Sequence, residues 1–313
     1  MPHWLIKSAI HRAISFLPRS DKWNEFLQTH VSKSLALGTG RFDLRLDYCR
    51  QHLEHFFNLR PLTGAGFSVL ELGTGWYPIV PVGFYLCGAT DIWTFDIAPL
   101  LRRSRVEATL QRFCEYHERG VLEKSLPWLR PERMARVREA LKEAKTQKPE
   151  ALLASMNIHA LVRDASTTGL NSNSVDLFVS TSVLEYIPRH ILVLMFSEFK
   201  RLSTPDAIMS HFINLLDEYC HFDKAITPFN FLKYSERQWK FLSSPLIWKN
   251  RLRISDYRDL LTKAGYEVTK ELNTSGSTRE LEQVPLAPAF RAYSQADLLV
   301  LRSWLVAKCR ANA

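Results

Sequence analysis

The chain has 313 residues, 46% of them hydrophobic, with 41 Lys/Arg against 32 Asp/Glu for a formal charge of +9. That is enough apolar sequence for one large domain with a full core, and no stretch of about 18 uninterrupted apolar residues predicts a membrane span. The five cysteines are scattered and lack a C-x-x-C pair, which argues against a disulfide framework or zinc knuckle and for a reducing cytoplasm.

No signal peptide is read at the N-terminus. Trp4, Leu5, Ile6, Ala9, Ile10, Ala13, Ile14 and Leu17 recur at helical spacing among Lys7, His11 and Arg12. Such a cationic amphipathic helix lies on a membrane surface or, more commonly, packs on its own domain. Residues 1–60 as a whole read as a helical lid, and residues 61–313 as the main domain. Within the lid, Leu44, Leu46, Tyr48, Leu53, Phe56 and Phe57 mark a helix over Arg41 to Leu59.

A buried strand from Ser68 to Leu72 then runs into a turn carrying Gly73 and Gly75. Pro78 and Pro81 signal a helix start, where proline costs little because those amides are unpaired anyway. Gly88 closes that helix. A second strand, Asp91 to Asp96, ends in a carboxylate. The next sixty residues are too long for a simple crossover and predict an inserted helical hairpin over about 101–155, broken near Pro127 and Pro131. Between Leu101 and Lys148, 13 Lys/Arg face 7 Asp/Glu, so 13 − 7 = 6 of the positive excess sits there. The signs are interleaved as on a solvated helix face, and no nucleic-acid recognition pattern accompanies them.

Strands follow at Asn157 to Val162, Ser174 to Val179 and Ala207 to Phe212, with a helix over Pro188 to Leu202. A second insertion over about 214–250 is dense in aromatics. Ser255 reads as the N-cap of a helix ending at Gly265. The last two strands are placed at Tyr266 to Leu272 and Asp297 to Ser303. Alternating strands and helices predict an α/β three-layer sandwich.

Two glycines at a strand end let a ligand approach the backbone without meeting a Cβ. A carboxylate on the neighbouring strand tip can accept from both ribose hydroxyls of a nucleoside. A nicotinamide site wants G-x-G-x-x-G, whereas this chain has Gly73-x-Gly75-x-x-Pro78, and Glu71 on the strand would repel a pyrophosphate. The set favours a cationic cofactor without phosphate, S-adenosylmethionine.

Val69-Leu-Glu-Leu-Gly-Thr-Gly75, Asp96, and Val175-Asp-Leu-Phe-Val-Ser-Thr-Ser-Val-Leu-Glu-Tyr-Ile-Pro188 resemble the class I S-adenosylmethionine-dependent methyltransferases. The resemblance covers about Phe67 to Gly120 and Asn157 to Leu272. It implies a mostly parallel, seven-stranded, Rossmann-like methyltransferase sheet. By the same resemblance, Glu71, Gly73 and Gly75 would shape the pocket for the methionine end and ribose. Asp96 would hold the ribose, with Ile97 beside the adenine and Asp164 and Ala165 at its edge. Thr181 would lie near the sulfonium, and Trp76 is either a core residue or a lid contact. The turn Trp76-Tyr-Pro-Ile-Val-Pro81 departs from the small residues many members carry there. With His221-Phe-Asp-Lys-Ala-Ile226, Asn230-Phe-Leu232 and Asn250-Arg-Leu-Arg253, it associates the chain with a less characterised bacterial branch.

The second insertion would bring Tyr219, His221, Asp223, Asn230 and Tyr234 to the mouth of the sheet. His221, oriented by Asp223, is a candidate base for removing the acceptor's proton, and Glu185 and Tyr186 are the others. No metal pattern occurs in the sequence. The leading expectation is methyl transfer to a small-molecule O or N acceptor, with no nucleic-acid partner. Two alternatives stand beside it. A cyclase of the same fold would form azetidine-2-carboxylate and methylthioadenosine, its sulfonium held by Tyr186, Trp76, Phe229 or Phe231. A non-catalytic module would bind the cofactor only.

Overall fold

Val69, Leu70 and Leu72 are apolar on both faces of one strand, as a parallel strand covered by helices on each side requires. A computed structural model describes residues 4–6, 8, 37–60, 66–243 and 248–310. Its strands are β1 (Phe67–Leu72), β2 (Ala89–Asp96), β3 (Ile158–Val162), β4 (Val175–Thr181), β5 (Ser203–Asn214), β6 (Tyr266–Ser275) and β7 (Val300–Cys309). They form one sheet in the order β3-β2-β1-β4-β5-β7-β6. β1 to β5 pair in parallel, and β7 runs antiparallel to β5 and β6. This is the expected three-layer sandwich with its Rossmann-like methyltransferase sheet. The order reverses at β1, which has β2 on one side and β4 on the other, so a crevice opens beyond their carboxyl ends.

The principal helices are α1 (Thr39–Leu59), α2 (Ile79–Leu86), α3 (Arg103–Glu118), α4 (Met134–Glu143), α5 (Arg189–Leu202) and α6 (Ile254–Lys263). α1 buries Phe42, Leu46, Cys49, Leu53 and Phe56, a stripe at alternating four- and three-residue steps. With α2, α3 and α4 it packs on the face of Val69, Ile92 and Leu177. The opposite face, with Leu70, Phe95 and Phe178, is covered by α5 and α6. No helix of the described residues is long and apolar enough to cross a membrane. Most of residues 1–60, expected to form a lid, lies outside the described residues, Ala9 to Leu17 included.

The first insertion is helical as expected. Its Val106, Leu110, Phe113, Val137 and Ala140 join the same core as α1, so it forms part of the sandwich's outer layer. The second insertion builds a separate aromatic cluster of Tyr219, Phe229, Phe231, Leu232 and Trp239, and Trp4 is seated within it. The Trp4 backbone N–H donates to Asp223 Oδ2 at 3.0 Å. The segment Asn250 to Arg253 clips this insertion to the sheet. The Arg253 guanidinium is fully buried and donates to the carbonyls of Leu215, Leu298 and Val300. Arg251 donates to the carbonyls of Phe231 and Tyr234.

Several boundaries differ from the sequence reading, β5, β6 and β7 all running longer than expected, and two of them have a clear local cause. The last strand begins at Val300, because Gln295–Leu299 forms a short helix with Ser294 accepting from the Asp297 N–H. α6 starts from Arg253 at its N-cap, while Ser255 donates both its N–H and its hydroxyl to Asp297. In the first case a local cap won over strand pairing, and in the second a local cap lost to a long-range carboxylate.

Candidate functional site

The turn after β1 forms because both of its glycines take φ values that strain residues bearing a Cβ, 78° at Gly73 and 70° at Gly75. The Gly73 N–H donates to Phe95 O at 2.8 Å, and the Gly75 N–H donates to Asp96 Oδ2 at 3.0 Å. The two glycines do different work. A Cβ at Gly73 would sit 2.4 Å from a Val183 methyl, whereas one at Gly75 would meet nothing within 4 Å. Packing closes the first position, and the second faces open space.

A cavity of about 240 Å³ opens at the carboxyl ends of β1, β2, β3 and β4. Gly73, Asp96, Ile97, Asp164, Ala165 and Tyr186 all line it, and Val183, Ile187 and Met195 give it an apolar wall. Burial pushes the Asp96 carboxyl above its usual range, opposed by the N–H groups of Gly75, Ala98 and Ile97. Asp164 also accepts from the Ser166 N–H at 2.8 Å, the local turn bond that an acid at this position commonly makes. Gly75 lines a smaller cavity of about 50 Å³ on the other side of Asp96, together with Thr94, Ala98 and Leu101.

The remaining candidates for the cofactor stand behind this lining. Glu71 is buried in the wall and accepts from the Thr74 hydroxyl at 3.0 Å. Burial raises its carboxyl to about 7 against the pull of Thr74 and Arg45. Trp76 is covered by the Arg105 guanidinium, 4.2 Å from its ring. Thr181 bonds His52 Nε2 at 3.1 Å, and His52 Nδ1 and His55 Nδ1 both reach Ser210 Oγ at 2.9 Å. Burial holds His52 and His55 neutral, the latter down to about 4.

The candidate bases separate clearly. His221 makes no hydrogen bond to Asp223. It sits 3.9 Å from Glu218 with its side chain 47% exposed, and Asp223 accepts from the N–H groups of Trp4 and Ala225. The expected His221–Asp223 pairing is therefore corrected: the short 3-10 turn Glu218–His221 places His221 beside Glu218 instead. Phe229 and Phe231, considered for holding a sulfonium, are core residues of the second insertion. Tyr186 does line the 240 Å³ cavity.

Glu185, next to Tyr186, is 1% exposed, and neither carboxylate oxygen has a hydrogen-bond partner among the described residues. Burial raises it to about 7 despite the field of Lys249. Two residues around it escaped the sequence reading. The buried Lys249 ammonium donates to the carbonyls of Asn214 and Leu216 at 3.0 and 3.1 Å and pairs with Glu218 at 2.9 Å. Its ring partner is Tyr186, with Nζ 5.5 Å from the centroid. The one available signal was Lys249 beside Asn250, whose side-chain amide donates to the carbonyls of Leu184 and Ile187 and so pins the Glu185 turn. Among the described residues no group of three or more His, Cys, Asp or Glu is placed to hold a metal ion.

The chain matches no family model and no curated protein. Solved structures of similar fold include a methyltransferase of Haloferax volcanii complexed with the Trm112 methyltransferase activator. It is 15% identical, with 87% of this chain and 94% of that chain covered and a TM-score of 0.44. A SAM-dependent methyltransferase from Methanosarcina mazei is 14% identical over 79% of this chain and 94% of its own, with a TM-score of 0.43. Phosphoethanolamine N-methyltransferase 2 of Haemonchus contortus, solved with S-adenosyl-L-methionine, is 13% identical over 92% and 60%, with a TM-score of 0.45. Likenesses this weak leave ligand and activity to be argued from the chain's own residues.

Proposed function

We propose that this chain is an S-adenosylmethionine-dependent methyltransferase that acts on a small-molecule O or N acceptor. One observation carries the reading: Gly73, Asp96, Ile97, Asp164 and Ala165, drawn from three separate loops, line a single cavity with an apolar wall. The residues fit the cofactor. Asp96 offers a carboxylate to two ribose hydroxyls, Ile97 and Ala165 offer apolar contact to a base, and Gly75 leaves room where a Cβ would intrude. Glu71, buried behind the turn, favours a cation over a pyrophosphate.

When bound, S-adenosylmethionine supplies a methyl group already activated on a sulfonium. The chain's tasks are then to position the acceptor, exclude water and remove a proton from it. Asp96 and the glycine turn hold the nucleoside, the second insertion covers the acceptor side, and a carboxylate at the mouth of β4 takes up the proton. Calorimetric titration with S-adenosylmethionine, followed by detection of S-adenosylhomocysteine with candidate acceptors, tests this. Methylthioadenosine as the product would replace methyl transfer by intramolecular cyclisation. Failure to bind the cofactor at all would reject the site.

A further inference from the structure

A carboxylate withdrawn from water without a hydrogen bond is costly, and native structures rarely keep one without reason. Glu185 is close to such a group: neither oxygen has a well-formed hydrogen bond, and only the N–H groups of Glu185 itself and Asn214 act weakly on it. The obvious neutraliser is Lys249, but an ammonium has three donors, and the carbonyls of Asn214 and Leu216 and the carboxylate of Glu218 take all three. The other titratable groups whose fields meet Glu185 are Tyr48 of α1, Tyr186, Tyr257 of α6 and Glu218. None of them brings a positive charge.

The surroundings are aromatic. Tyr48 lies 5.0 Å from the Phe212 ring and 5.9 Å from the Trp304 ring, and those two are 5.2 Å apart. Phe212 is paired in register with Thr181 at the carboxyl end of β4. A poorly satisfied carboxylate beside clustered aromatic faces, where the sheet opens and the Arg45 guanidinium already lies 5.9 Å over the Tyr48 ring, has the chemistry of an ammonium site.

Resting on the reading of the cofactor cavity above, we propose that the acceptor is a small amine, bound as its ammonium by Glu185 and the Tyr48–Phe212–Trp304 rings. The ammonium passes one proton to Glu185 and attacks through the freed nitrogen lone pair. A carbon–nitrogen bond forms to the methyl group. The carbon–sulfur bond breaks with its electron pair staying on sulfur, which leaves S-adenosylhomocysteine. The methylated ammonium departs and Glu185 returns its proton to solvent, so one proton is released per turnover. A hydroxyl acceptor would arrive neutral and leave the buried carboxylate without a counterion.

The test requires no knowledge of the natural amine. Protein saturated with S-adenosylhomocysteine is titrated with methylammonium, tetramethylammonium and benzylammonium chlorides, and with methanol and benzyl alcohol as neutral counterparts. The expected result is saturable binding of the cations in the millimolar range or tighter, at least tenfold stronger than the neutral probes. Binding at pH 6 should release a proton, and cation affinity should rise fivefold or more between pH 6 and pH 8. Glu185→Gln should abolish both the pH dependence and the cation preference. Tyr48→Leu, as a second variant independent of the carboxyl, should weaken tetramethylammonium severalfold.

Equal binding of cations and neutral probes, unchanged cation binding in both variants, or no cation binding up to 0.1 M would each overturn the proposal. If S-adenosylhomocysteine itself fails to bind, the cofactor reading falls first. The cation titration of the free chain then decides the ammonium site separately.

Discussion

The Gly75 amide reaches Asp96 Oδ2 across 3.0 Å, joining the turn after β1 to the tip of β2. Asp96 also accepts from the Ala98 N–H at 3.4 Å, so one carboxylate organises two loops and lines the cavity at the same time. Asp96→Ala removes this hub together with the acceptors offered to the ribose. Loss of two hydrogen bonds predicts a cofactor affinity lower by about 1–3 kcal/mol. Calorimetry with S-adenosylmethionine measures it, and an unchanged dissociation constant would place the nucleoside elsewhere.

The buried Glu71 carboxyl, held near 7 first by burial, makes cofactor binding sensitive to pH. A cationic ligand stabilises the ionised form, so the carboxyl titrates lower in the complex than in the free protein. Binding therefore expels a proton when the free carboxyl is protonated, and affinity should fall as pH drops below about 7, by up to about tenfold per unit. Glu71→Gln should flatten that profile. Titrations at pH 6, 7 and 8 in buffers of different ionisation enthalpy read both the affinity and the proton count.

Much of this was legible from sequence because it is local. The run Val69 to Gly75 is strand and turn by its own chemistry, and Asp96 ends a short run rich in aromatic and β-branched residues. Ligand-lining residues at strand ends inherit their positions from the sheet, so Gly73, Asp96, Asp164 and Ala165 converge once the strand order is known. What stayed hidden depends on side chains meeting from distant segments. Lys249 meets Glu218 across an insertion, and Ser255 turns to Asp297 42 residues away. His221 and Asp223 looked like partners by proximity in the chain, yet a single 3-10 turn sends them to different neighbours.

Glu185 predicts an inverted stability effect in the free protein. Its folded carboxyl is raised by burial to about 7, well above the usual glutamate range. The raised group contributes stability that is fully present below its unfolded range and is lost as pH rises through 7, at about 1.4 kcal/mol per pH unit in between. Glu185→Gln keeps the shape without the charge, so the variant should be more stable than the parent at pH 8, by about 1–3 kcal/mol. At pH 4.5 the difference should nearly vanish. Urea unfolding at the two pH values checks the sign, and a variant less stable at pH 8 would show that the carboxylate has a partner after all.

Arg253 predicts the opposite outcome for a buried charge. Its guanidinium reaches three carbonyls on two segments, Leu215 on one and Leu298 and Val300 on the other, and burial lowers it to about 10. Arg253→Ala would leave those carbonyls without donors and a cavity at the joint between insertion and sheet. The expected loss is about 3–5 kcal/mol, read by urea unfolding. Hydrogen exchange should loosen first at Leu215, Leu216 and the β7 start, and uniform protection there would refute the clip.

The two turn glycines separate folding from ligand binding. Gly73→Ala puts a methyl 2.4 Å from the Val183 side chain at a φ of 78°. Backbone strain of about 1–2 kcal/mol adds to overpacking of about 1–3 kcal/mol, so the variant should lose stability before affinity can be compared. Adding Val183→Ala should restore the packing part and leave the strain. Gly75→Ala meets no atom within 4 Å, so it should carry the strain alone and fold nearly as well as the parent. Its methyl would still occupy the open space beside Asp96, so cofactor affinity should fall tenfold or more despite the intact fold. Thermal midpoints paired with calorimetric titrations of both variants decide this. If Gly75→Ala bound the cofactor normally, the ligand would keep wholly to the cavity lined by Gly73 and Asp96, and the open space at Gly75 would have no part in holding it.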